Sequence, residues 1–266
     1  MRPVLFAASR LSWMLLIAVP SLAAAHDCWL QADEYQLSAG AKLVAHLNIG
    51  EAMKPEEEKA YEKEHTERFE LRLPNDVRDL LAAASEGAKP VFADALPGTG
   101  AFLVTMVRGS PVVELDPVKF DAELAHEGIA LAHGRPIERV RSWCFLKLLG
   151  RSGEDTETDL NHRFTGMQYE IVLLQNPFTM HAGDEQIVQL LFETKPLANA
   201  TVSALHRSPD GALVELQGVT DTRGVARFTL TQPGVWLVRS VHVRACKGCK
   251  DADWEGFRAS YTFALE

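Results

Sequence analysis

The 266-residue sequence contains no apolar run after residue 25 that could cross a membrane, since a spanning helix needs about 20 apolar residues. It also lacks the Gly-x-Ser-x-Gly elbow of serine hydrolases. Its short Gly-Thr-Gly segment at 98–100 has no lysine to complete a phosphate-binding loop. None of its nine histidines stand in an HxH or HxxxH pair. The sequence therefore offers no strong motif for a hydrolase, a nucleotide-binding protein or a zinc enzyme.

Basic residues are fewer than acidic ones: the sequence has 27 Lys and Arg against 36 Asp and Glu, and its net charge is -9. An acidic surface argues against nucleic acid and anionic lipid as partners. It is compatible with binding of cations.

Cysteine is scarce, with four residues: Cys28, Cys144, Cys246 and Cys249. An oxidising compartment would allow them to pair. Cys246 and Cys249 form a CxxC, a spacing typical of redox and zinc sites. Here the CxxC follows a strand pattern, opens no helix and has no second CxxC to complete a zinc site. We therefore interpret these two cysteines as a structural pair.

Residues 1–25 have the features of a secretory signal peptide. A positively charged start precedes an apolar core of about nine residues over 11–19, and Ala23 and Ala25 occupy the small-residue positions before the cleavage site. Cleavage after Ala25 would make His26 the first residue of the mature chain, and cleavage after Ala23 would leave Ala-Ala-His. The sequence therefore predicts a periplasmic or secreted protein without a transmembrane segment once the signal is removed.

Residues 26–150 predict a β-rich region with one or two short helices. The helix that opens at Asp116-Pro117 is the clearest, because proline is well placed in a first helical turn. The expected elements are strands at 29–37, 42–48, 69–73 and 101–107, a charged loop or short helix over 51–66, a helical patch over 77–84, the helix from 117 and a short helix within 128–141.

Residues 165–266 predict an immunoglobulin-like antiparallel β-sandwich. Turn sequences such as Asp221-Thr222-Arg223-Gly224 separate short stretches that have the composition of strands. Seven short strands in about 100 residues are typical of this fold. The predicted strands are 169–174, 186–192, 200–206, 213–218, 226–230, 235–243 and 259–265. The sequence leaves open whether residues 26–150 form their own domain or wrap around this sandwich.

His26 is the leading candidate ligand. An N-terminal histidine offers its α-amine and its imidazole Nδ1, which together can chelate a metal ion. His242 is the candidate second ligand, and convergence of the two would place three nitrogens around copper in a histidine brace. Asp253 adds a carboxylate near the end of the adjacent loop. Nitrogen-rich, square-planar coordination suits Cu(II) and Ni(II).

His126 and Glu127 stand at the end of the predicted helix. A histidine there suits the negative end of the helix dipole, so we interpret the pair as structural.

The sequence resembles a family of exported bacterial proteins grouped as a domain of unknown function and often labelled nickel-uptake-associated. The resemblance runs over nearly the whole mature chain. Its segments are 25–30 (AHDCWL), 115–120 with 127–128, 176–177 with 183–184, 195–198 (KPLA), 220–221 with Gly224, 234–238 (GVWLV), His242, and 253–255 with 259–263. It implies a periplasmic β-sandwich protein involved in transition-metal handling, and it favours His26 and His242 as ligands. The chain departs from the family at Phe257-Arg258, after Gly50 and in its CxxC.

Three functions are compatible with these observations. The first is a protein that binds Ni(II) or Cu(II) through His26, His242 and Asp253 and passes the ion to a partner such as an inner-membrane metal transporter. The second is an envelope module that binds a glycan, a peptide or another protein without a metal. The third, a copper enzyme built on the same histidine brace, is the least favoured, since it needs a substrate surface and the sequence shows no exposed aromatic platform; no catalytic residue is nominated. We therefore expect a binding protein rather than an enzyme.

Overall fold

The structure is a computed structural model that describes residues 27–266, so the predicted signal peptide and His26 lie outside the described residues. The strands are β1 (Asp27–Ala32), β2 (Gln36–Leu37), β3 (Lys42–Glu51), β4 (Lys54–Lys59), β5 (Thr66–Leu73), β6 (Asp76–Asp79), β7 (Phe92–Ala95), β8 (Gly100–Gly109), β9 (Val113–Leu115), β10 (Glu138–Ser152), β11 (Tyr169–Leu173), β12 (Glu185–Phe192), β13 (Lys195–Pro196), β14 (Thr201–Arg207), β15 (Leu213–Val219), β16 (Val225–Thr229), β17 (Gly234–Ala245) and β18 (Trp254–Leu265). The described residues also contain one α-helix, α1 (Pro117–His126), and two short 3-10 helices. The fold is mainly β, as predicted.

Residues 27–266 form three β-sheets, and the largest has ten strands. This central sheet follows the order β15-β14-β17-β18-β10-β8-β5-β6, and β2 and β9 also pair with β10. Its β10 and β18 run parallel, whereas β17 and β18 are antiparallel. One outer sheet contains β1, β3, β4 and β7, and the other contains β11, β12, β13 and β16. Strands from both halves of the sequence therefore share the central sheet.

The central sheet packs an outer sheet on each of its faces. Successive side chains of a strand point to opposite faces. Leu103 and Leu149 accordingly belong to the core formed with the C-terminal outer sheet. Phe102 and Leu148, their chain neighbours, belong to the core formed with the N-terminal outer sheet. The two larger apolar cores of the described residues therefore lie on opposite faces of the central sheet, and a third, smaller cluster packs beneath α1.

The predicted C-terminal sandwich is confirmed. Each of the seven predicted strands is present, as β11, β12, β14, β15, β16, β17 and β18. β11, β12 and β16 form one layer, and β14, β15, β17 and β18 form part of the central sheet opposite it. The alternation of apolar residues between turn sequences was sufficient to locate these strands.

Helix α1 is also confirmed. The Asp116 carboxylate caps its first turn by accepting a hydrogen bond of 3.0 Å from the Lys119 backbone N–H. The helix buries Phe120 and Leu124 against the side of the central sheet that carries Val241. Among the described residues, no helix is long and apolar enough to cross a membrane.

Three local predictions in the N-terminal half are wrong. Most of the charged segment 51–66 is extended: β4 pairs with β3, and only residues 63–65 form a 3-10 helix. The predicted helical patch 77–84 begins instead with the exposed strand β6, which pairs with β5. The predicted short helix within 128–141 is absent: residues 129–137 have no regular secondary structure, and the chain then enters β10, which pairs with β9 and β18. Each segment contains residues that pair with a neighbouring strand, in β4, in β6 and at the start of β10, and this pairing overrides the local helical preference there.

Candidate functional site

A cluster of charged side chains lies where α1 and β1 cover the central sheet. We call it the N-terminal charge cluster, because it surrounds the first described residue. Its members are Asp27 on β1, Glu123 and His126 on α1, Glu127 directly after α1, Arg239 on β17 and Arg258 on β18. The fold brings these groups together from four elements that are far apart in the sequence.

The pleat of β17 and β18 directs both arginines to this side of the sheet. Val238 of β17 packs in the core with the C-terminal outer sheet, whereas Val241 packs against α1. Arg239 alternates with Val238 and therefore shares the face of Val241. Arg258 is the register partner of Val241 on β18. Two guanidinium groups thus project from adjacent strands beneath α1.

A glycine allows the end of α1 to approach the sheet closely. Gly128 follows the helix with φ of +67°, a left-handed conformation that favours glycine. A Cβ atom at this position would lie 2.8 Å from Thr201 Oγ1 of β14. The absence of a side chain therefore allows His126 and Glu127 to lie against the arginines.

Arg239 contacts three members of the cluster. Its Nη1 donates to the two carboxylate oxygens of Glu127 at 2.8 and 2.9 Å. Its Nη2 lies 3.1 Å from His126 Nε2, and a guanidinium has only donors, so this imidazole nitrogen accepts. Its Nε lies 3.2 Å from Asp27 Oδ1 as an ion pair. The start of β1 is thereby connected to the end of α1.

The cluster is not fully satisfied. Arg258 donates to Glu123. Ser260 of β18 is the register partner of Arg239, and its Oγ, Arg258 Nη1 and Arg239 Nε are buried without a hydrogen bond among the described residues, although Arg239 Nε keeps its ion pair with Asp27. Buried donors without an acceptor are rare and cost free energy. Three of them in one place indicate a site where a further polar group fits, and we therefore regard this cluster as the candidate functional site.

The carboxylate of Asp27 is perturbed by its surroundings. Burial raises its pKa from 3.8 to about 6, and the nearby Glu127 carboxylate acts in the same direction. Arg239 opposes the shift by stabilising the ionised form. As the pH rises through about 6, the Asp27 carboxyl loses its proton and adds a negative charge to the cluster.

The predicted ligand His242 lies on the other side of β17. It shares the face of Val238, opposite Arg239, and its ring centroid is 4.6 Å from that of Phe192. Burial lowers its pKa, and Arg244 lowers it further. The imidazole is therefore neutral near pH 7, but it faces away from the side chains that contact Asp27.

The predicted ligand Asp253 is held by two arginines. Its Oδ2 accepts from the Arg139 backbone N–H at 3.1 Å and from Arg139 Nε at 3.2 Å. Its Oδ1 accepts from Arg135 and Arg139. The hydrogen bond from the Arg139 side chain is the largest of the effects on the Asp253 pKa, which is lowered. A metal ion at Asp253 would have to displace these donors. Because His26 lies outside the described residues, the combination of His26, His242 and Asp253 stays a prediction.

One group of potential metal ligands does converge among the described residues. Atoms of Cys246, Cys249 and Glu255 lie within 4.8 Å of one another. The two sulfurs are joined in a disulfide, as expected for a structural pair, and a disulfide lacks the thiolates that bind metals.

A separate groove lies on the outer face of the C-terminal outer sheet and has a volume of about 560 Å³. Phe164 and Leu174, which are 47% and 41% exposed, supply apolar surface. His162, Gln189 and Thr194 supply polar groups. The groove has the size and the mixed lining of a small-ligand site.

Sequence reasoning ranked His126 and Glu127 below His242 and did not nominate the two arginines. The one available signal was the position of Arg239, a charged residue in the middle of the apolar stretch VWLVRSVHV. A charge buried in a strand needs a partner. The partners come from β1 and α1, and local patterns do not predict that contact.

No curated protein matches the chain. Among solved structures, the D0-D1 domain of intimin is similar at 13% identity and a TM-score of 0.22, covering 88% of this chain and 96% of that chain. A tetra-tandem repeat from the extending region of a large adhesion protein is similar at 11% identity and a TM-score of 0.24. This second match covers 91% of this chain and 50% of that chain. At these TM-scores neither similarity carries an argument, and the architecture stands on the strand pairing described above.

A family model provides a clearer assignment, because it spans most of the chain, including the strand β1, helix α1 and Arg239. The model describes a domain of unknown function, DUF4198, and it matches residues 23–244, so the chain belongs to that family.

Proposed function

We propose that this protein is exported to the bacterial periplasm and binds Ni(II) or Cu(II) at the start of its mature chain. The proposed ligands are the terminal amine and imidazole of His26, with His126 as a further donor. The position of Asp27 is the observation that supports this: the residue is 8% exposed and its carboxylate contacts Arg239 in the N-terminal charge cluster. Asp27 would be the second residue of a mature chain that begins with His26, so the proposal concerns the groups that surround Asp27.

The donors around that position suit a transition-metal ion. The His126 side chain is 43% exposed, so an ion can reach it from solvent. Neutral imidazole is a common ligand for nickel and copper. An ion on His126 Nε2 would replace the hydrogen bond from Arg239, which would keep its two bonds to Glu127. The Asp27 and Glu127 carboxylates would help to balance the charge of the ion.

The ion in this proposal is a cargo. The resemblance to nickel-uptake-associated proteins favours an inner-membrane metal transporter as the partner that receives it. A protein that collects an ion and releases it needs a site near the surface, and the partly exposed His126 meets this requirement.

The first test is the mass of the exported protein, which identifies its first residue. The second is calorimetric titration of the mature protein with Ni(II) and with Cu(II). We expect His26→Ala to abolish binding and His126→Ala to weaken it at least about tenfold. A mature chain that starts at Asp27 or later, or equal affinity of His26→Ala and the unchanged protein, contradicts the proposal.

Two further variants decide which second ligand is used. If His126 is the donor, His242→Ala and Asp253→Asn should bind both ions as well as the unchanged protein. If His242→Ala loses affinity and His126→Ala does not, the histidine brace predicted from the sequence is correct and the ligand set proposed here is wrong.

The alternative of a non-metal binding module is favoured by the groove beside Phe164. A mature protein that begins with His26 but binds neither ion would support this alternative. Phe164→Ala leaves the N-terminal charge cluster intact, so it should not change metal affinity, and it serves as the surface control.

A further inference from the structure

Cys28 and Cys144 are the two free cysteines of the structure, and they lie together between two sheets. Cys28 is buried on β1 in the N-terminal core, and the half-buried Cys144 of β10 packs against that core. Both side chains belong to the same apolar core, and each thiol is close enough to be the largest influence on the pKa of the other. The two thiols are therefore neighbours in the fold, although they are far apart in the sequence.

The backbone around the pair is also close. Sheets that stack face to face usually lie about 10 Å apart. Here β1 has Cα atoms within 8 Å of those in both β10 and β18. The Thr262 hydroxyl of β18 also donates to the Leu30 carbonyl of β1 at 2.7 Å. A disulfide requires a Cα separation of up to about 6.8 Å. The close approach of β1 to β10 makes such a separation accessible to Cys28 and Cys144.

The surroundings of Cys144 carry positive charge. Arg258 is its register partner on β18, and Arg258 Nη1 is among the buried donors without a hydrogen-bond partner among the described residues. Arg258 and Arg108 both lower the pKa of the Cys144 thiol, after the larger effect of the neighbouring Cys28. Cations near a thiol favour its reactive thiolate form.

We propose that Cys28 and Cys144 form a second disulfide, which ties the first strand to the central sheet. Cys144 is the attacking residue, because it is the more exposed of the two and lies beside Arg258. The proposal does not depend on metal binding. Its consequence is that Asp27, next to Cys28, is fixed in position by a covalent bond.

The bond forms by two thiol–disulfide exchanges with a small disulfide such as oxidised glutathione. The Cys144 thiolate attacks one sulfur of this oxidant, and a mixed disulfide forms as one glutathione thiolate leaves. The Cys28 thiolate then attacks the Cys144 sulfur and expels the second glutathione thiolate. The two protein thiols lose two electrons and two protons in total, and two reduced glutathione molecules carry them away.

The decisive experiment uses the metal-free mature protein with the C246S and C249S substitutions. These changes remove the other disulfide without altering the buried pair. The variant is reduced, exchanged into buffer with oxidised glutathione under native conditions, and its free thiols are counted after denaturation. We expect a loss from two thiols to none. Peptide mapping should recover a cross-linked peptide that contains Cys28 and Cys144, and oxidation should raise the urea midpoint of unfolding.

Three outcomes would overturn the proposal: two thiols that persist, glutathione that stays on Cys144 while Cys28 remains free, or a bond between two molecules. A matched variant adds C28S to the same background. It should retain glutathione on Cys144 as a stable mixed disulfide, which shows that Cys28 completes the reaction. If this variant does not fold, the thiol count of the first variant still decides the question.

Discussion

The two faces of the central sheet both bury charge, but they satisfy it differently. On the face toward the C-terminal outer sheet, Lys147 is buried and donates to Glu170 at 2.6 Å and to the Ile171 carbonyl at 3.0 Å. Glu170 also accepts from Thr165, Gly166 and Met167. Every oxygen of this carboxylate therefore has protein partners.

On the opposite face, the N-terminal charge cluster has carboxylates and guanidinium groups in contact, but three buried polar atoms there form no hydrogen bond among the described residues. A completely satisfied ion pair holds a loop in place, here residues 165–167. An incompletely satisfied cluster has capacity for another group. The Lys147–Glu170 pair therefore stabilises the fold, whereas the N-terminal charge cluster can accept a further polar group. Each prediction below tests one of these two roles.

Removal of Glu170 should have the largest effect. Glu170→Ala leaves Lys147 as an unpaired buried charge and removes the acceptor of three backbone N–H groups. Loss of one partner of a buried pair costs about 3–5 kcal/mol. Urea unfolding followed by circular dichroism measures this loss.

The matched control is an exposed pair on the same outer sheet, Arg227 and Glu185, each about half exposed. Glu185→Ala should cost less than about 1 kcal/mol. Equal losses for the two variants would mean that the satisfied pair does not stabilise the fold, and the comparison would fail.

Asp27→Asn tests the opposite face and should have a smaller effect of opposite sign. The folded protein keeps the Asp27 proton up to pH about 6, whereas the unfolded chain releases it near 3.8. The free energy of unfolding should therefore fall as pH rises through this window, by up to about 3 kcal/mol at 1.36 kcal/mol per pKa unit. Asparagine stays neutral, so the variant should match the unchanged protein below pH 4 and exceed it at pH 7.

Urea midpoints of metal-free protein at pH 4, 5, 6 and 7 measure this difference. Glu64→Gln changes an exposed carboxylate and should alter stability by less than about 0.5 kcal/mol at each pH. An Asp27→Asn variant that is less stable than the unchanged protein at pH 7 would show that Asp27 is paired as completely as Glu170.

Sequence patterns predicted the sandwich but not the layer that joins it to the N-terminal half. The seven C-terminal strands alternate apolar and polar residues between turn sequences, and such local signals determine strands. The sequence analysis did not predict β10, because one of its partners lies far away in the sequence: β10 pairs in parallel with β18. It also contains Lys147, whose burial depends on Glu170 rather than on its own neighbours.

The candidate site was predictable only in parts. The cap at Asp116 and the end of α1 near His126 follow from local chemistry. The contact of that helix end with Asp27 and Arg239 depends on β1 of one outer sheet and β17 of the central sheet being in place. No spacing in the sequence carries that information. His242 was preferred because it lies in a recognisable strand, and the strand prediction was right, but strand patterning does not show which face meets the chain start.

The smallest expected effect belongs to His133, at the outer edge of the α1 side. Its Nε2 lies 2.7 Å from Asp121 of α1, and its Nδ1 lies 3.3 Å from Glu138 of β10. The hydrogen bond with Asp121 is the largest cause that raises the His133 pKa above 6.5. The protonated imidazole therefore adds stability below pH 6.5, and this contribution is lost as pH rises through the higher pKa of the folded state. His133→Gln should lower the urea midpoint at pH 5.5 and leave it nearly unchanged at pH 9. An equal loss at both pH values would mean that His133 acts by packing, and the charge on this edge would then contribute nothing to the difference between the two faces.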